Sequence, residues 1–247
     1  MWNTPYLYLY INIFTISFPL IRSFELRIAY YRSFKELFLG IGITAVFFLI
    51  WDIIFTHLGI WGFNPRYLSG IGFFGLPLGE YLFFITVPFA SVFIYRVMNF
   101  FIKEDLLSKR VKNVSNFLIF FCIALAIAHY GKWYSLTTFS FLSVALYLHF
   151  KVWKTPWLSR FYLAYGVVLI PFLLVNGILT GSFIEEQVVW YNDVENMGIR
   201  VWTIPFEDAF YGMLLILMVI SFYEYFYKKR TGHYTYETST EKSSPER

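Results

Sequence analysis

Four carboxylic acids interrupt the apolar stretches of this sequence: Asp52, Glu80, Glu207 and Asp208. A charge at the centre of a membrane helix costs about 2.5 to 3.5 kcal/mol on insertion scales, so acids in such surroundings need a reason to be there. Two kinds of chemistry suit them. Facing carboxyls can hold one proton between them and pass it on, or intramembrane acids can bind a cation in passage. Three of the four follow a proline closely, in Pro77-Leu78-Gly79-Glu80 and in Pro205-Phe206-Glu207-Asp208. Proline at the first helical position fixes φ without losing a hydrogen bond, and an acid in the same turn meets the positive end of the helix dipole. One such motif is ordinary capping; two, each behind a polar loop, are stronger grounds for a site.

The elements that must position these acids follow from composition. Of 247 residues, 58% are hydrophobic and only 15% charged, a balance that suits lipid as the solvent. A crossing needs about 20 apolar residues, and seven segments come close: 5–22, 36–57, 76–97, 115–131, 135–150, 161–184 and 204–227. The fourth and fifth are short and meet at Gly131-Lys132-Trp133-Tyr134, as a tight hairpin or a single re-entrant element. Loop charge tests the count. Of the 20 Lys and Arg, all but Arg66, Lys132 and Arg200 fall in loops on one side of a seven-span topology, which puts the N-terminus outside and the C-terminus in the cytoplasm.

The same clustering explains the net charge of +4 as membrane topology and leaves no nucleic-acid site. Cys122 is the single cysteine, so no intrachain disulfide forms. The first apolar stretch lacks a basic leader and a cleavage site, and is expected to stay as a helix. The expected fold is therefore all-α, a polytopic membrane bundle of about seven transmembrane helices. Residues 1–112 form a first repeat of three helices, 113–230 a second of four, and 231–247 a disordered cytoplasmic tail.

The repeat is weak but positional. Asp52 matches Asn176 and Thr56 matches Thr180, while Asn64 and Asn192 each stand thirteen residues before their proline. Both hairpins run in the same sense, so the halves are parallel, related by an axis along the membrane normal. All the acids then lie near the outer ends of their helices at one depth, and Asn176 joins them.

At these residues the sequence resembles a known family. The stretch from Trp51-Asp52 through Asn64-Pro65-Arg66-Tyr67 to Pro77-Leu78-Gly79-Glu80-Tyr81 is similar to the first half of the small transmembrane lycopene cyclases of bacteria, archaea and fungi, the type found as two subunits or one fused chain. Asn176-Gly177 through Pro205-Phe206-Glu207-Asp208 with Tyr211-Gly212 is similar to the second half. The usual pattern at both helix starts is Pro-x-Glu followed by Glu or Asp. The second site matches it in full, whereas Gly79 stands where the first Glu is usual, so the second site is expected to carry more of the acid chemistry.

The resemblance implies a redox-neutral cyclisation of a linear carotenoid end group to a β-type ring, through a carbocation, with no cofactor and no metal. It implies Glu207 or Asp208 as acid in the second half, and Glu80 and Asp52 as acid or base in the first. Asn64, Asn176 and Asn192 would orient them, and Trp51, Tyr81, Phe206 and Tyr211 would line the substrate, since aromatic faces stabilise a cation by about 0.5 to 2 kcal/mol each. Lycopene and the bilayer are the expected partners; with both halves on one chain, a partner subunit is not required.

Other readings fare less well. Gly70-Ile71-Gly72-Phe73-Phe74-Gly75 copies the dinucleotide-binding glycine pattern, but leads from a loop into a membrane helix and not from a strand. His57, His129, His149 and His233 lack the paired spacing of a di-iron site. The last span has no lysine for a retinal Schiff base, and no aspartate-rich pair exists to hold diphosphate through magnesium. A transporter using the acids for cation coupling is the remaining alternative.

Overall fold

The computed structural model describes residues 3–237. Seven α-helices account for most of it: α1 (Leu7–Arg22), α2 (Phe34–His57), α3 (Leu78–Phe101), α4 (Val111–Ala128), α5 (Trp133–Tyr147), α6 (Leu158–Leu179) and α7 (Asp208–Thr231). Among the described residues six are long and apolar enough to cross a membrane, α5 only together with the turn that extends it to Val152; α1, at 16 residues, falls short. The expected hairpin at 131–134 holds, and α4 and α5 are two separate helices packed on each other, not one re-entrant element. A π-helical turn, Leu148–Val152, extends α5.

Lipid offers the backbone no hydrogen bonds, so long apolar runs become helices and irregular chain gathers at their ends. Helices in lipid then associate by close fit and a few polar ties. Gly40 supplies the fit between α2 and α7: a Cβ there would stand 3.0 Å from the Val219 carbonyl oxygen. The ties lie at the end of the bundle away from the acids. Arg230 Nε is 2.6 Å from Glu36 Oε1, and buried Glu224 accepts from Tyr95 Oη at 2.8 Å. Glu224 also accepts from Thr235, which is fully buried. The tail expected to be disordered from 231 is therefore folded back over 232–237, because a buried carboxylate needs its donors; residues 238–247 lie outside the described residues.

At the other end, short strands fill the loops: β1 (Trp61–Phe63), β2 (Gly72–Phe73), β3 (Leu76–Pro77), β4 (Val189–Tyr191), β5 (Arg200–Val201) and β6 (Ile204–Pro205). The hairpins β2–β3 and β5–β6 use equivalent registers, Gly72 opposite Pro77 and Arg200 opposite Pro205. β1 and β4 pair antiparallel with each other, Trp61 opposite Tyr191, Gly62 opposite Trp190 and Phe63 opposite Val189. Residues 62 and 190 are equivalent in the alignment that matches Asn64 to Asn192, so a local two-fold axis passes through this pair. Only glycine fits at 62, where a Cβ would fall 2.4 Å from the Trp190 ring. The two loops thus form one lid over the helix ends that carry the acids.

Candidate active site

Under that lid, Asp52, Glu80 and Asp208 line one cavity of about 40 Å³, together with Tyr8, Trp61, Tyr134, Asn176, Tyr191 and Tyr211. All three acids are buried. Asp52 arrives from the last turns of α2, Glu80 from the first turn of α3 and Asp208 from the first of α7. The proline-led starts do this work: Pro77 and Pro205 end their hairpins as the last residues of β3 and β6, and the next turn delivers the acid inward.

The two sides are built alike. On one, Glu80 accepts a hydrogen bond from Tyr8 of α1; on the other, Asp208 Oδ1 accepts from Tyr134 Oη of α5 at 2.5 Å. Asp52 neighbours Glu80 as Asn176 neighbours Asp208, and the Asn176 amide donates to Asp208 Oδ2 at 2.6 Å. Tyr191 Oη donates to the same oxygen at 3.0 Å.

Their polarity differs. Asp208 receives three donors, surroundings matched to a carboxylate anion. Asp52 Oδ1 accepts from Trp61 Nε1 at 2.5 Å and from Thr56 Oγ1 at 3.4 Å, while its Oδ2 is buried with no donor among the described residues. The Asp52 and Glu80 side chains are neighbours on the wall of the same cavity. Two carboxyls in that position form a bond only when a proton sits between them.

The remaining expected site residues divide. Tyr211 lines the cavity, in ring contact with Trp61 at 6.1 Å and Tyr134 at 6.2 Å. Trp51 lies one layer back, 5.2 Å from Tyr211. Glu207, expected to share the acid chemistry, does not line the cavity: its Oε1 accepts from Ser135 Oγ at 2.5 Å and from the Met197 amide at 2.7 Å, tying the outer loop to α5. Phe206 packs on Phe210, and Tyr81 Oη donates to the Phe73 carbonyl in the neighbouring hairpin.

Asn64 and Asn192 are loop residues. Asn64 caps the turn at Arg66 and donates to Glu186 Oε2 at 2.8 Å; this bond, with Arg66 beside it, holds the Glu186 carboxyl below its ordinary range. Asn192 Oδ1 accepts from the Val194 amide. Their matched spacing records equivalent turns in the two loops, not contact with the cavity.

Sequence reasoning missed Tyr8 and Ser135, and read Tyr134 only as part of a turn. Tyr8 also explains Gly79. A Cβ at 79 would stand 2.4 Å from the Tyr8 ring, so this ring occupies the space that a side chain would need. Asn12 secures the approach, donating to the Gly79 carbonyl at 2.9 Å.

A family model described as lycopene cyclase matches residues 5–98 and 131–226. The chain belongs to the lycopene cyclase family. Membership supports a carotenoid cyclase in place of the transporter that intramembrane acids also allowed. The matched segments carry α1–α3 and α5–α7 and leave out α4. Comparison with curated proteins and with solved structures gave no match.

Proposed function

We propose that this lycopene cyclase converts linear carotenoid end groups to β-type rings by proton transfer within the cavity of Asp52, Glu80 and Asp208. The observation that carries the reading is the placement, in one small buried chamber, of two neighbouring carboxyls beside a third that is surrounded by donors. The pair Asp52–Glu80 is the acid. It gives a proton to the terminal double bond and leaves a tertiary cation; the neighbouring double bond attacks, closing the ring and moving the positive charge onto it.

A ring proton then leaves to a carboxylate base, for which Asp208 is matched. One proton enters and one departs, so the product is an isomer of the substrate and no redox cofactor is needed. Tyr211 and Trp61 offer their faces to the transient cation, and the lid excludes the water that would quench it. Carotenoid arrives from the bilayer, with the N-terminus outside and the C-terminus in the cytoplasm, and one chain suffices.

The test is expression in cells that accumulate lycopene. The expected product has unchanged mass and a blue-shifted absorption, turning red cells orange-yellow. Lycopene recovered unaltered beside abundant membrane-inserted protein would refute the reading.

A further inference from the structure

The acid chamber as closed has room for about three waters, so a carotenoid end group enters it only when a wall ring moves aside, and the rest of the chain needs a second space. One exists. A groove of about 1160 Å³ runs between α2, α5 and α7 on the side away from the acids, walled by Phe47, Phe141, Val144, Leu148, Leu214 and Met218. His149, in its wall, is paired through Nδ1 with Thr155 Oγ1 at 2.8 Å and through Nε2 with Ser221 Oγ at 3.0 Å, and Lys228 and Lys229 stand at its far end. Between His149 and the acid end, such walls suit a hydrocarbon chain.

Two rings, Trp51 and Phe48, stand between the groove and the chamber, and Phe48 lies 5.3 Å from Phe47 and 5.0 Å from Tyr211. Phe47 and Phe141, which wall the groove, stand 5.9 and 5.1 Å from the Trp51 ring, and Trp51 also meets Tyr211, which lines the chamber, at 5.2 Å. Trp51 Nε1 is buried with no acceptor among the described residues, so no side-chain hydrogen bond holds the indole in place. From Leu214 to Lys229 the groove follows about 22 Å of α7, and from Asp208 to Lys229 the helix is about 32 Å long at ~1.5 Å per residue. That length is on the order of the hydrocarbon core of a bilayer, ~30 Å, and suits an extended rigid chain.

We propose that this groove binds the polyene chain of the carotenoid substrate, with Trp51 as the door through which the end group reaches the acids. The proposal rests on the cyclase reading. A phospholipid acyl chain would suit the walls equally, but the connection through Trp51 to the acids gives only the carotenoid a reason to lie there.

Val144 is 57% exposed on the groove wall, so Val144→Trp fills the space without displacing packed core. Met218→Trp fills it from the α7 side, and Ile127→Trp on the exposed face of α4 is the control. Each variant is expressed in lycopene-accumulating cells, quantified in membranes, and purified in detergent to measure ring product and co-purifying pigment.

The expected result is a loss of both by about tenfold or more, equivalent to roughly 1.4 kcal/mol of binding, in a groove variant present at the wild-type level, with Ile127→Trp unaffected. Wild-type product and pigment from both groove variants would assign the groove to lipid and overturn the proposal while leaving the cyclase reading intact. A wild-type protein that makes no ring would remove the reading and the proposal together.

Discussion

At the scale of single residues, neighbouring acids of the same helix start have opposite surroundings. Asp208 is in the chamber with three donors, and Glu207 is turned into the loop and α5. Glutamine at 207 keeps the oxygen that Ser135 and Met197 use, so Glu207→Gln is expected to retain most ring formation per membrane-inserted molecule. Product loss as deep as that of Asp208→Asn would return Glu207 to the chemistry. Tyr8→Phe removes the one donor to Glu80 from α1. Hydrogen bonds to charged groups contribute about 1.5 to 3 kcal/mol, so turnover in membranes is expected to fall roughly 10- to 100-fold with protein level unchanged; an unaltered rate would make Tyr8 a packing residue only. Gly79→Ala forces a methyl into the Tyr8 ring. Overpacking of this kind costs about 1 to 3 kcal/mol, and thermal unfolding in detergent is expected at a lower temperature than for the wild type, with Tyr8→Ala restoring part of the loss.

Elements explain why the helices were legible in the sequence and much of the site was not. A helix in lipid is announced by its own apolar run, so seven expected segments became seven helices, with α1 the exception in length. The proline-led acids were legible for a similar reason, since the turn that aims Glu80 and Asp208 is written in adjacent residues. Tyr8 and Tyr134 carry no such mark among 20 tyrosines. Each meets its acid across more than seventy positions, a pairing that only the packing of α1 on α3 and of α5 on α7 creates. Asn64 and Asn192 mislead in the opposite direction, because identical spacing arises wherever two loops repeat a turn. The β1–β4 pairing joins those loops, and it admits no side chain at 62. Gly62→Val is expected to part the strands and admit water, lowering ring formation while the helices still insert; full activity would show that the lid is dispensable.

Over the whole molecule, chemistry and anchoring occupy opposite ends of the bundle. Three acids and the paired loops sit at one end, the Glu36–Arg230 and Glu224–Thr235 ties at the other, with α4 outside both segments that match the family. From the positive-inside distribution we propose that the acid end lies in the outer leaflet. A cysteine introduced at Ser69 in the outer loop is expected to react with an impermeant thiol reagent on intact cells, and one at Lys109 is not; the reverse pattern would invert the topology. The chamber itself is tested most directly by pigment analysis of Glu80→Gln and Asp208→Asn beside Glu207→Gln, with each protein quantified in the membrane. Ring product is expected to fall by about 100-fold or more for Glu80→Gln and Asp208→Asn, the scale of lost general acid–base catalysis, and to persist for Glu207→Gln. Wild-type amounts of cyclised carotenoid from both Glu80→Gln and Asp208→Asn would contradict catalysis by these acids.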